Sequence, residues 1–191
     1  MNISFPSLPL TDLPAHLLSC PLSLPCSHPL TNSPHSVVLE LGGKDPFVVC
    51  DDADISSIIQ TACRGVWQNM GQNCAGPERF FVYEKVYDEF CDGVTRVVKQ
   101  MKCGSSLGDP YVDCGAICMG PKQMLAYQRL VDDAVSKGAR VLSGGVIPGP
   151  DSPLFSGSFY PPTVLADVPE NALIAQEEIF GPIMCIFKVR T

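Results

Sequence analysis

An α/β fold, a mostly parallel sheet with flanking helices, follows from three features of this 191-residue sequence. Short runs rich in Val, Ile and Phe alternate with longer segments whose apolar residues recur every three or four positions. The connections between them are short, as in strand–helix–strand units. An apolar share of 46% supplies a core.

In order along the chain, residues 37–41 (VVLEL) read as a buried strand ending at Gly42-Gly43, and residues 46–50 (PFVVC) as a second. Asp52 and Asp54 offer N-cap chemistry. Behind them Ile55, Ile58, Ile59, Ala62, Cys63, Val66 and Trp67 fall on one helical face. A strand is expected over residues 79–83, then a helix burying Tyr87, Phe90, Cys91, Val94, Val97, Val98 and Met101. A third helix spans residues 123–137, closed by Gly138 at C′. Residues 139–142 read as a strand. Residues 159–168 read as an extended edge element, because Pro161 and Pro162 withhold ladder donors. Residues 183–189 supply the last strand.

Residues 1–36 differ from all of this. Leu, Pro and Ser dominate, Lys and Arg are absent, and all three histidines fall here. Recurrent proline stops both helix and central strand from propagating. The tract also lacks the basic and unbroken apolar regions of a signal peptide. The expected division is a disordered extension, residues 1–36, and a folded domain, residues 37–191, in a cytoplasmic protein.

A net charge of −7 argues against a nucleic-acid surface. The ten cysteines show no dense, regular spacing and read as reduced thiols. Cys103, Cys114 and Cys118 raise the question of zinc. A structural site wants four ligands, so no metal is expected.

Three short segments carry chemistry. Glu40 interrupts the apolar run VVLELGG. A carboxylate in apolar surroundings is costly to ionise, which tunes a general base; the other reading of these residues is a Glu on the solvent face of an edge strand. Cys74 sits in GQNCAG, where small neighbours give a ligand access to the thiol and its own backbone N–H is a candidate oxyanion donor. Residues 177–182 (EEIFGP) read by themselves as a helix end and a turn.

Together ELGGK (residues 40–44), GQNC (residues 71–74) and EEIFGP, in this order and at these separations, closely resemble the aldehyde dehydrogenase superfamily. GDP at residues 108–110, KGARVLSGG at residues 137–145 and YPPTVL at residues 160–165 support the resemblance, which extends over residues 37–188. It implies oxidation of an aldehyde to a carboxylic acid with NAD or NADP. Cys74 is then the nucleophile, forming a thiohemiacetal and later a thioester, and Glu40 the base that activates the hydrolytic water. Glu178 would hold the nicotinamide ribose, with Phe180 packed beside it. The resemblance further implies a small-molecule aldehyde as partner and homo-oligomers in the full-length family.

The family places a Rossmann-like cofactor domain before ELGGK, and an oligomerisation strand beyond the point reached by Thr191. Residues 37–191 are therefore expected to be a partial catalytic domain, lacking the pyrophosphate-binding glycine turn, the family's asparagine oxyanion donor and the oligomerisation strand. The chain alone is then expected to form no NADH. The alternative is a catalytically inactive fragment, or an interaction module built on the same fold.

Overall fold

The computed structural model describes residues 39–109 and 111–190. The chain divides into two units, Met1–Glu40 and Leu41–Thr191. The expectation of disorder in residues 1–36 lies outside the described residues, as does the start of the strand predicted from residue 37.

The second unit holds a five-stranded sheet of order β1-β2-β5-β4-β3. Its strands are β1 (Asp45–Val49), β2 (Pro77–Tyr83), β3 (Arg140–Ser143), β4 (Thr163–Ala166) and β5 (Ile183–Val189). The pairs β1–β2, β2–β5 and β5–β4 are parallel, and only β3 runs antiparallel, against β4. The sheet is mostly parallel, as the alternation of strand and helix patterns implies.

Helix α1 (Ile55–Trp67) buries Ile55, Ile59, Ala62, Cys63, Val66 and Trp67, one stripe at helical spacing. Asp54 takes the N-cap position in extended conformation without a side-chain cap bond. Its carboxylate instead accepts from the Ser56 hydroxyl at 2.7 Å. Helix α2 (Glu84–Val98) adds Val86, Tyr87, Phe90, Cys91, Val94 and Val98. These two helices and one face of the sheet enclose a core that includes Phe80, Val82, Met184 and Ile186.

The opposite face carries a second core with α3 (Pro121–Ser136) and the short α4 (Leu173–Gln176). Pro121 starts α3 where a missing N–H costs nothing. A Schellman motif ends it. Gly138 takes φ 112°, its N–H donates to Val135 at 3.0 Å, and the Ala139 N–H reaches Ala134 at 2.9 Å.

Two expectations need correction. Residues 39–41 form no strand, and Leu39 and Leu41 are 68% and 74% exposed. The ladder with β2 starts only at Asp45, opposite Pro77, so the apolar run precedes the sheet. The segment read as an edge element contains β4, an interior strand between β5 and β3 with all four residues buried. Pro161 and Pro162 come just before Thr163, so their missing donors fall outside the ladder.

Candidate active site

Helix α1 stops because Asn69 and Met70 take left-handed backbone angles, with φ 53° and 57°. The chain thus leaves α1 through the tight turn Gln68–Gly71 and enters a second turn over residues 73–76. In that turn the Gly76 N–H donates to the Asn73 carbonyl at 3.1 Å, and the Asn73 side chain accepts from Ala75 N–H at 3.2 Å. Cys74 occupies the tip and is exposed.

Gln72 anchors this loop from beneath. It is 8% exposed, its Oε1 accepts the Cys118 N–H at 2.7 Å, and its Nε2 donates to Asn69 O at 3.0 Å.

The turn of residues 177–182 comes to meet the cysteine loop. A Cβ on Gly71 would collide with the Gly181 carbonyl, so the two turns touch backbone to backbone. The Trp67 indole N–H donates to Pro182 O at 3.1 Å, tying the end of α1 to the same turn. The backbone of Phe180 is left-handed at φ 49°. Tyr127, from α3, holds it by donating to Phe180 O at 2.5 Å. Burial raises the Tyr127 phenol to about 12, so the hydroxyl stays a donor at neutral pH.

The glycine pair completes the convergence. Glu178 is exposed, and its Oε1 accepts the Gly43 N–H at 3.1 Å. A Cβ on Gly42 would strike the Glu178 carboxylate, and one on Gly43 would strike the Cys74 carbonyl oxygen. Residues 42–43, 74 and 178, far apart in sequence, are therefore packed against one another, and only glycine admits the approach. Glu40 belongs to the unit that it ends and is exposed, so the apolar setting expected around its carboxylate is not present.

Beneath the three segments lies Glu78, which none of the three motifs contains. It is 5% exposed on β2. Its Oε1 accepts the N–H groups of Ile179 and Phe180 at 3.0 and 2.9 Å. Its Oε2 pairs with Lys44 Nζ at 2.7 Å. One carboxylate thus fixes both the lysine of ELGGK and the backbone of the EEIFGP turn.

The model of the aldehyde dehydrogenase family matches residues 28–191. The chain belongs to that family. It is 40% identical over 154 residues to glutarate-semialdehyde dehydrogenase of Pseudomonas putida, an alignment covering 81% of this chain and 30% of that protein. An NADP(+) succinate-semialdehyde dehydrogenase of Escherichia coli is 36% identical over the same shares. Among solved structures, succinate-semialdehyde dehydrogenase from Burkholderia pseudomallei superimposes with a TM-score of 0.73 at 33% identity, over 80% of this chain and 30% of that one. A 3,6-anhydro-L-galactose dehydrogenase in complex with NAP gives 0.72 at 37% identity, over 80% and 31%. The chain thus spans about 30% of the length of the curated relatives that it matches.

Within this member of the family, the aldehyde dehydrogenase motifs named in the sequence contain the exposed Cys74 and Glu178 and two supports, Gln72 and Lys44, but neither Glu78 nor Tyr127. Glu78 was legible from one signal. In β2 the residues at 78, 80 and 82 alternate inward, and a charged residue at an inward position demands a partner. Gln72 and Tyr127 gave no such signal, because both bind backbone groups of segments remote in sequence.

Proposed function

We propose that the protein of which this chain carries the catalytic portion oxidises an aldehyde to a carboxylic acid with NAD(P)+, using Cys74 as nucleophile and Glu40 as general base. The observation that supports the reading best is the packing of both Cys74 and Glu178 against Gly43, with the thiol residue exposed.

The Cys74 sulfur adds to the aldehyde carbon, forming a carbon–sulfur bond and moving negative charge onto the carbonyl oxygen. Conversion of this adduct to a thioester requires loss of a hydride from its carbon, for which a nicotinamide dinucleotide, if bound, would be the acceptor. Glu40 then takes a proton from water as the water oxygen attacks the acyl carbon. The carbon–sulfur bond breaks, and Cys74 leaves as the thiolate. The division into capture and hydrolysis replaces one difficult step with two easier ones.

The residues present fit the nicotinamide end of such a cofactor. Glu178 already lies over Gly42-Gly43, where any side chain would displace its carboxylate. Its exposed acceptors suit the hydroxyls of a ribose. Phe180 presents a half-buried ring from a turn pinned by Glu78 and Tyr127. The names of the relatives support an aldehyde as the substrate class, with semialdehydes foremost among them.

The test uses an activated aryl ester, which exercises capture and hydrolysis without hydride transfer. The chain should release a stoichiometric burst of phenolate, then turn over slowly. C74A should abolish both phases. E40Q should keep the burst and lose steady-state hydrolysis by about 10²–10⁴-fold, the usual contribution of a general base. Ester hydrolysis that survives in C74A would refute the assignment of the nucleophile.

A further inference from the structure

The loop between α2 and α3 holds a feature with no part in aldehyde chemistry. Cys103 and Cys114 face each other across a single parallel backbone bridge. The Gly104 N–H donates to Cys114 O at 3.0 Å, and the Cys114 N–H donates to Lys102 O at 3.0 Å. The Asp113 carboxylate closes the pairing by accepting the Lys102 N–H at 2.9 Å. Residues paired in this way lie about 4.8 Å apart. That separation falls within the roughly 4.4–6.8 Å between Cα atoms that a disulfide spans. Both are free thiols, and their side chains hydrogen-bond to each other.

We propose that Cys103 and Cys114 form a dithiol site for thiol–disulfide exchange with small-molecule disulfides, closing into an intramolecular disulfide. The roles of the two thiols differ. Cys103 is half-buried and reachable, whereas Cys114 is 1% exposed. The hydrogen bond from Cys114 lowers the pKa of Cys103 against the opposing effect of burial, and the same donation raises that of Cys114. Cys103 is the attacking thiolate and Cys114 the resolving thiol.

The Cys103 thiolate attacks one sulfur of the small disulfide, forming a mixed disulfide and releasing one thiolate. Cys114 then loses its proton and attacks the Cys103 sulfur, forming the internal bond and expelling the second thiolate. Two protein thiols are oxidised and one small disulfide is reduced to two thiols. Cys63, Cys91 and Cys185 are unsuited to the same attack, because burial, the largest influence on each, raises them to about 11, 11 and 12. The loop leads on to Cys118, whose backbone N–H is held by Gln72. The dithiol is thus joined by a few residues to the support of the Cys74 turn.

The test equilibrates the full 191-residue chain with oxidised glutathione, then applies acid quench, iodoacetamide and tryptic mass spectrometry. Cys103, Cys114 and Cys118 share the tryptic peptide of residues 103–122. The expected product is this peptide lighter by two hydrogen atoms, alkylated only at Cys118. C118S should still form the cross-link. C114S should retain glutathione on Cys103, and this adduct should form at least about tenfold faster than any at Cys63, Cys91 or Cys185. Trp67 fluorescence checks that each variant is folded. A cross-link that requires Cys118, or a folded C114S that traps no adduct on Cys103, would overturn the proposal. So would a wild-type peptide that remains alkylated at all three positions.

Discussion

At the scale of single residues, one buried side chain ties together segments around the candidate site. Glu78 is a buried carboxylate with one cationic partner and two backbone donors. Removing one member of a buried ion pair leaves the other charge uncompensated, which costs about 3–5 kcal/mol. E78A should therefore lower the urea unfolding free energy by about that amount. E78Q should lose less, because its amide oxygen still accepts from the backbone of the turn. A shift in E78A within about 0.5 kcal/mol of wild type, the size of an ordinary surface substitution, would refute this account.

The residues visible in the sequence were those whose chemistry is local. Cys74 stands out through its small neighbours, and the structure places it at an exposed turn tip. Glu78 and Tyr127 act over sequence separations of 101–102 and 53 residues, and no window of sequence contains both partners. Glu40 was open to two settings from its sequence, and the structure takes the solvent-facing one. Its apolar flanks allowed burial, but the flanks themselves are solvent-exposed.

Among the elements, the junction after β4 is tied to both β3 and α2 through one residue. Asp167 sits there at φ 53°, with its carboxylate bonded to Arg140 of β3 at 2.5 Å and its backbone N–H donating to the Tyr87 hydroxyl of α2 at 2.7 Å. Burial tends to raise the carboxyl, but the bonds from Arg140 and Tyr87 outweigh it and hold it below the usual range. A depressed carboxylate contributes stability that is present above its unfolded value, about 3.9, and lost as pH falls through the folded value. D167N keeps a residue that tolerates the left-handed backbone and removes only the charge. Because the pair is 58% and 36% exposed, screening limits the loss at neutral pH to about 0.2–1 kcal/mol. Urea midpoints should show this deficit at neutral pH and none well below about 3.9. A deficit that persists in acid would point to the fold and not the charge. The same junction explains the misread segment before it. Two prolines signal an edge when they lie inside a strand, and here they lie one step outside an interior one.

At the scale of the whole second unit, two cores share one sheet, so neither face is complete without β4 and β5. Trp67 is the only tryptophan and bonds to Pro182, immediately before β5. Its fluorescence reports α1 and the EEIFGP turn together, whereas far-UV circular dichroism reports all elements. The two should give the same denaturant midpoint, as expected for an all-or-none transition. A tryptophan transition at lower denaturant would show that the site melts ahead of its scaffold.

The shared carboxylate under the site also bears on how sequence variants of this domain are interpreted. In a screen scored only by turnover, substitutions at Glu78, Lys44 or Tyr127 would be indistinguishable from loss of Cys74, since each releases a segment that the proposed reaction requires in place. Temperature separates the two groups. A scaffold variant recovers when cooling restores the fold, whereas, on the role proposed for Cys74, a chain without that thiol stays silent at every temperature. Paired assays, one cool and one warm, would therefore sort inherited changes in this domain into defects of chemistry and defects of folding, and only the second group is open to rescue by a stabilising ligand.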